Sequence, residues 1–483
     1  MLKIIKPAFS AHLTKTINRM LTESSFPSEM KSARVTPIFK KEDPLQKKNY
    51  RPVSVLPIRS KVFEWAMVDQ LNDHFRGLFH PSLSAYRKGY SCQSALLALT
   101  EDWRGALDRG HFVGAILIDL SKAFDCLPHK LLLEKLRAYG LSEPAVSLIC
   151  SYLSDRKQSV KMGNAQSSPL PMSKGVPQGS IAGPILFNIF INDIFYFIND
   201  SNLYNYADDN TLSYSNKDFT VMKRTLEAEG SVLVDWFTEN QMEANPGKFQ
   251  GLAVGKKTRN RKPTFSIQGV DIECTDDVKL LGVTIDYLLN YDTHISNMCS
   301  KAARQINILK RIGKHLPFNC RKVIYQSFIS SNLNFCPVIW HFCSEKNTKK
   351  FEKLNFRALK HVHQDYNSNY TDLLNIDKSV SLQLERQRQI ALEVFKIISK
   401  QCPPYLENLI KPIKEGHNLR KVNVTLPEFK GITYGKKSFS FFGSKLWNDL
   451  PRCIQTSENF IFQKNDRKMK WQKMQMCNVH VII

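Results

Sequence analysis

The stretch Phe112-Val113-Gly114-Ala115-Ile116-Leu117-Ile118-Asp119 decides how the chain reads. An apolar run of strand length that ends in a carboxylate predicts a buried strand delivering Asp119 at its C-terminal end. A helix is predicted after it, from about Pro128 to Tyr139, with Gly140 as its stop. Upstream, residues 1–75 mix helical stretches with a basic loop, Lys40-Lys41-Glu42-Asp43-Pro44, followed by Asn49-Tyr50-Arg51-Pro52, where proline favours extended backbone. That segment reads as a small, positively charged subdomain.

Downstream, Gly175, Gly179 and Gly183 surround Pro177-Gln178, and Pro184 opens a helix, Ile185 to Ile194, that is apolar all round and belongs in a core. Leu203 to Leu212 has apolar and aromatic flanks around Asp208-Asp209, which suits a hairpin with two acids at its tip. Lys279 to Ile285 is a further strand candidate. After Asp292, Ile295, Met298, Ala302, Ile306, Leu309 and Ile312 recur at helical steps while Lys301, Arg304 and Arg311 fall on other faces, predicting a basic amphipathic helix. The run Lys256 to Lys262 reads as a hairpin loop, either a solvated turn or a nucleic-acid contact.

Composition sets the class of partner. The 483 residues carry 68 Lys and Arg against 44 Asp and Glu, a net charge of +24, so a polyanion such as nucleic acid is the expected partner. The most hydrophobic region, Ile185 to Phe197, is broken by Asn188, Asn192 and Asp193, so no membrane span and a soluble protein are expected. Pro7 interrupts the short apolar run at the start, and no secretory signal is read there. Eleven cysteines, an odd number without a C-x-x-C pair, suit reduced thiols in an intracellular protein. Cys336, His341 and Cys343, with His361 and His363 further on, form the densest Cys/His group. Short-spaced ligand pairs are missing, however, and Phe335, Val338, Ile339, Trp340 and Phe342 make the segment read as core rather than zinc site.

Nucleotidyl transfer places a 3′-hydroxyl in line with an α-phosphate, with divalent cations stabilising the attacking and leaving oxygens, and such hard cations take carboxylates. Asp119 at a strand end and Asp208 at a hairpin tip can converge on one point. Taken singly, a strand-end Asp is more often a cap, and an Asp-Asp pair in a turn is ordinarily turn chemistry. The ordered combination is specific: Asn49-Tyr50-Arg51-Pro52-Val53-Ser54, Asp119-Leu120-Ser121-Lys122-Ala123-Phe124-Asp125, Gly175-Val176-Pro177-Gln178-Gly179-Ser180 and Tyr206-Ala207-Asp208-Asp209.

With these motifs the chain resembles the reverse transcriptases of non-LTR retrotransposons, the jockey-like group, from about Pro27 to Trp447. The resemblance implies an α+β fold: a right-hand polymerase with fingers, palm and thumb and a mainly helical C-terminal extension. It places partial fingers at 1–105, the reverse transcriptase region at 21–286, a palm at 106–286, a thumb at 287–330, the extension at 331–463 and a basic divergent tail at 464–483. It implies that Asp119 and Asp208 bind metal with Asp209 as a third acid, and that Phe124 is a steric gate against a ribose 2′-hydroxyl. Gln178 and Gly179 are implied near the incoming nucleotide, Arg51 on the triphosphate with Lys40 or Lys41 assisting, and Lys248 as proton donor to the leaving pyrophosphate. Leu281-Gly282-Val283 resembles the turn under the primer strand, and the region from Phe335 through Tyr434-Gly435 to Lys445-Leu446-Trp447 resembles the family's extension.

The expected cofactors are two Mg2+ ions, with Mn2+ as the substitute. The expected partners are an RNA template, a DNA primer or nicked target DNA, and deoxynucleoside triphosphates, in the nucleus at the site of synthesis. An upstream finger segment and the N-terminal endonuclease domain typical of the group are not recognised in this sequence, and the tail departs from the expected helix. Two other readings stand beside the polymerase: a catalytically decayed RNA-binding remnant, and an intron-encoded maturase-like reverse transcriptase.

Overall fold

A computed structural model describes residues 2–40, 42–120, 122–413, 423–451 and 455. Lys41, Ser121 and the basic tail 464–483 lie outside the described residues. Helix α1 (Leu2–Thr22) leads into β1 (Ser32–Phe39) and β2 (Tyr50–Val55), which pair antiparallel with Pro37 opposite Pro52. Helix α2 (Ile58–Phe75) buries Phe63, Met67, Leu71 and Phe75, one stripe at four-residue steps. Helix α3 (Cys92–Asp108) starts on a capping box made by Ser91 and Ser94.

Strand β3 spans Phe112–Asp119, as the apolar run predicts. Its side chains alternate between two cores: Phe112, Ile116 and Ile118 enter one, and Val113 and Ala115 the other. Burial on both faces is why the run lacks polar alternation. Short α4 (Ala123–Cys126), α5 (His129–Ala138) and α6 (Glu143–Leu153) follow, with Gly140 just beyond α5 at φ +83° as the stop signal requires. Strand β4 (Lys157–Met162) joins β1 in parallel, and β5 (Ala165–Gln166) and β6 (Leu170–Pro171) complete that outer sheet.

Helix α7 (Ala182–Ile191) is buried all round and begins two residues before Pro184. The expected acid-tipped hairpin is β7 (Asn202–Tyr206) and β8 (Asp209–Asn216), and α8 (Phe219–Glu239) crosses behind it. Then come β9 (Gln250–Val254), α9 (Lys256–Arg259), β10 (Thr264–Ile267), β11 (Val270–Thr275), β12 (Asp277–Leu280) and β13 (Val283–Asp286). The central sheet has the order β10-β11-β9-β3-β8-β7; all its neighbours run antiparallel except β9 and β11.

Two local expectations are corrected. Lys256 to Lys262 is not a hairpin loop, because β11 lies between β9 and β10; it is the turn of α9 and its exit. Part of its charge is used internally: Arg259 pairs with Asp276 at 2.7 Å, and Lys257 and Arg261 lie over the Phe112 ring. Lys279 to Ile285 is not one strand but the hairpin β12–β13, turning at Leu281 and Gly282 with φ +47° and +86°. The turn falls within the Leu281-Gly282-Val283 motif. A Cβ on Gly282 would stand 3.0 Å from the Phe335 ring, so the tight turn and the close approach both need glycine.

The remainder is helical: α10 (Asp292–Gly313), α11 (Phe318–Ile324), a π-helical turn through Ser330, α12 (Ser331–Leu333), α13 (Glu345–His363), α14 (Tyr370–Asp377), α15 (Leu382–Ile398) and α16 (Phe439–Asp449). In α10 the predicted stripe from Ile295 to Leu309 is buried, and Lys301, Arg304 and Arg311 are exposed; Ile312 is exposed rather than buried. The Cys336 to Cys343 segment is largely core, with Val338, Ile339 and Trp340 buried, although Phe335 is 39% exposed. The C-terminal helices share one core with α3 and with Leu252, Val254, Val283 and Ile285 of the strands. Buried Glu101 fastens this arrangement, its carboxylate accepting from Phe439 N at 2.7 Å and Ser440 N at 2.9 Å at the start of α16. Asp108, also on α3, accepts from Lys430 N and Gly431 N, both at 2.8 Å. Among the described residues no helix is long and apolar enough to cross a membrane, and the nine cysteines are free.

Candidate active site

Strand β3 ends at Asp119 where β8 begins at Asp209, and the two are Cα partners in the ladder. Asp208 occupies the β7–β8 turn beside them, and all three are exposed along one sheet edge. Ala207, the first turn residue, has φ +57°. Two buried asparagines hold it there. Asn205 Nδ2 donates to Ala207 O at 2.8 Å and to Asn210 Oδ1 at 2.9 Å, and Asn210 Nδ2 donates to Asp208 O at 3.2 Å.

The acids feel one another. Desolvation, then the charges of Asp208 and Asp119, push the Asp209 carboxyl up to about 6, against the opposing pull of Lys40. Three crowded carboxylates with oxygen donors only, on an open edge, fit a hard divalent cation that completes its shell with substrate phosphates. They do not form a closed cage, and among the described residues no group of three His, Cys, Asp or Glu surrounds a single point. The Cys336/His341 region forms no such group either.

Phe124 follows Asp119 on α4, half-buried, its ring stacked on Phe187 at 4.5 Å and met edge-on by Tyr86 at 6.3 Å. The 175–180 loop lies against it: Val176 N donates to Phe124 O at 2.9 Å, and Gly175 N donates to Leu127 O at 2.8 Å. Gln178 Nε2 donates to Asp125 Oδ1 at 2.9 Å, and its carbonyl accepts from Ser54 N at 2.8 Å. Gly179 has φ +125°, and a Cβ there would stand 2.6 Å from Ser54 O, so the contact between loop and β2 requires glycine. This seam ties α4, the loop and β2 into one wall. The loop leads into α7, and there the N–H groups of Ile181 and Ala182 donate to the buried Glu64 carboxylate of α2 at 2.6 and 3.2 Å.

Arg51 stands exposed on β2, opposite Ile38, on the strand that Gln178 grips. Lys40 is exposed at the end of β1, close enough to influence Asp209. Lys248 closes a 3₁₀ turn, Pro246–Lys248, just ahead of β9. Leu117 pairs with Gln250, and beyond the turn Leu120 pairs with Ala244, so Lys248 lies in the turn between these two pairs, at the end of β3 that carries Asp119. Asp119, Asp208, Asp209, Phe124, Gln178, Gly179, Arg51 and Lys40 thus form a connected neighbourhood, with Lys248 at the same sheet end; Lys41 lies outside the described residues.

Sequence reasoning did not single out Asn205, Asn210, Glu64 or Tyr86. The asparagines carry a weak signal, since they flank the acid pair and Asn favours turns. Glu64 and Tyr86 carry none, because their partners lie far along the chain.

An open mixed sheet with acids from two adjacent strands at one edge, a helix-borne aromatic beside them and a helical C-terminal part defines the class. Residues 38–285 match the family described as reverse transcriptase (RNA-dependent DNA polymerase), and the chain belongs to that family. Over 365 residues it is 27% identical to the probable RNA-directed DNA polymerase from transposon BS of Drosophila melanogaster, covering 73% of this chain and 40% of that protein. Over 367 residues it is 25% identical to the RNA-directed DNA polymerase from mobile element jockey of the same species, covering 72% and 39%. The jockey-like kinship read from the motifs agrees with these relatives, and the match spans about two fifths of their length. Among solved structures the chain is similar to apo telomerase from Candida tropicalis, with a TM-score of 0.43 and 12% identity over 82% of this chain and 71% of that one.

Proposed function

We propose that this chain is the RNA-directed DNA polymerase of a non-LTR retrotransposon, extending a DNA primer on an RNA template with deoxynucleoside triphosphates in the nucleus. The observation that carries the reading is the meeting of Asp119, Asp208 and Asp209 at one edge, beside the wall of Phe124, Gln178 and Arg51. In this reading residues 1–105 are partial fingers, 106–286 the palm, 287–330 the thumb, 331–463 the C-terminal extension and 464–483 a basic tail.

Asp119 and Asp208 would hold the divalent ions, two Mg2+ with Mn2+ as substitute, and Asp209 is the third acid. The chemistry such ions would supply there is neutralisation of charge on the attacking and leaving oxygens. The residues of the chain do the rest. Arg51 offers a forked guanidinium to the triphosphate, with Lys40 and Lys41 adding positive charge. Phe124 crowds the 2′ position of the sugar and so favours deoxynucleotides. Gln178, held by Asp125, and Gly179 present backbone close to the nucleotide. Lys248 carries the proton delivered to the leaving pyrophosphate. The exposed Lys301, Arg304 and Arg311 of α10 neutralise duplex phosphates without reading sequence.

The test is primer extension by the purified chain on poly(rA) annealed to oligo(dT), with dTTP and Mg2+. Extension that chelation abolishes supports the reading. Intact RNA binding with no extension under Mg2+ or Mn2+ contradicts it and leaves an RNA-binding remnant.

A further inference from the structure

Tyr86 has φ +58°, in the left-handed region where a bulky side chain is an outlier, and is 54% exposed. Strain of this kind persists only where the surroundings impose it, and they do so here. Leu83 and Ala85 are fully buried. Ser84 N donates to Asn205 O at 3.1 Å, and Asn188 Nδ2 donates to Ala85 O at 2.8 Å. Arg87 Nη1 donates to the carbonyls of His80 and Leu83, both at 2.8 Å. The backbone on either side of Tyr86 is therefore fixed to β7 and α7, and the ring is turned outward at a conformational cost. Asn205, which anchors this loop, also holds the turn that carries Asp208.

The ring points into the site. Its edge meets Phe124 at 6.3 Å and 84°, and Phe124 is itself braced on Phe187. The phenol is raised above its ordinary pKa by burial and then by Asp208, while Arg51 pulls the other way, so the charges of both residues reach it.

We infer that Tyr86 is a wall of the nucleotide pocket: its ring contacts the sugar and base of the incoming deoxynucleotide, and it holds Phe124 edge-on in the orientation that screens the 2′ position. The inference rests on the polymerase reading of the same site. It accounts for an outward aromatic on strained backbone, which packing alone would instead bury or replace with glycine.

The test uses the full chain and three substitutions. Tyr86→Phe keeps the ring; Tyr86→Asn and Tyr86→Gly remove it while suiting a left-handed backbone. Incorporation of dTTP and UTP on poly(rA)/oligo(dT) gives KM, kcat and sugar discrimination. Binding of a fluorescent dTTP analogue to a complex with a dideoxy-terminated primer reads the pocket without chemistry. The expected result is near wild-type behaviour for Tyr86→Phe. For Tyr86→Asn and Tyr86→Gly, the dTTP KM and analogue Kd rise several-fold to about tenfold, discrimination against UTP falls, and the melting temperature is equal or higher. Unchanged KM, Kd and discrimination in Tyr86→Asn would overturn the inference. A wild type that binds the analogue but extends no primer removes the polymerase reading and leaves the binding arm to decide on Tyr86. A wild type that does neither refutes both.

Discussion

Asp119 and Asp209 face each other across adjacent strands, the last residue of β3 against the first of β8. Their separation is therefore set by sheet pairing and not by loop geometry, and only Asp208 depends on the turn. That turn depends on Asn205 and Asn210.

Asn205→Ala should accordingly lower stability by about 1–3 kcal/mol, since buried carbonyl and amide partners lose their bonds. It should also cut kcat by a larger factor than it raises the dTTP KM, because the acid edge is displaced while the Arg51 side is untouched. Chemical denaturation and steady-state extension check both parts. A variant that loses stability but keeps kcat would separate the asparagine from the acids.

Phe124→Val should raise UTP incorporation relative to dTTP, since a smaller apolar side chain opens space beside the sugar while still facing Phe187. The ratio of kcat/KM values is the measurement. An unchanged ratio in an active variant makes Phe124 a packing residue.

Glu101→Leu leaves two N–H groups at the start of α16 unsatisfied in a buried place, and should destabilise the fold by about 1–3 kcal/mol. Because α3 and the C-terminal helices share a core, proteolysis should release the C-terminal part sooner than in the wild type. Identical digestion patterns and melting would show that Glu101 is not a fastening point.

Acid should weaken the fold through histidine. Burial, and then Lys279, hold His294 down at about 4, and its Nδ1 accepts from Thr284 N at 3.2 Å. The folded state thus keeps this imidazole neutral, while the unfolded chain takes up a proton near 6.5. Stability supported by the neutral ring is complete above about 6.5 and is lost as pH falls toward 4, by roughly 3 kcal/mol for this one group. His341, held at about 3 by burial and then Arg386, adds in the same direction. Urea unfolding between pH 7 and 4.5 should show a smaller slope for His294→Gln than for the wild type. Equal slopes would remove His294 from the acid response.

These outcomes divide along what the sequence makes readable. Asp119 is legible because a strand buried on both faces cannot interrupt its apolar run, so the first charge marks its end. Asp208 and Asp209 are legible because acids between alternating apolar flanks belong at a turn. Asn205 is only weakly legible, from its place beside the acid pair, and Glu64 and Glu101 are not legible, because a buried polar side chain bonded to distant backbone has no local pattern. Glu64 reaches residues more than a hundred positions away, and Glu101 more than three hundred. Lys279 to Ile285 misleads because Leu281 accepts a positive φ and looks like strand interior. The loop at Lys256 misleads because sequence order hides the insertion of β11 between β9 and β10.

The central claim is that Asp119 and Asp208 bind the ions that carry nucleotidyl transfer. The direct measurement is Mg2+-dependent primer extension by the wild type, Asp119→Asn and Asp208→Asn, with RNA binding measured on the same preparations. The account predicts a loss of roughly a hundredfold or more in extension for each variant, with RNA affinity nearly unchanged because one charge matters little to a chain of net charge +24. Undiminished synthesis by either variant would contradict it.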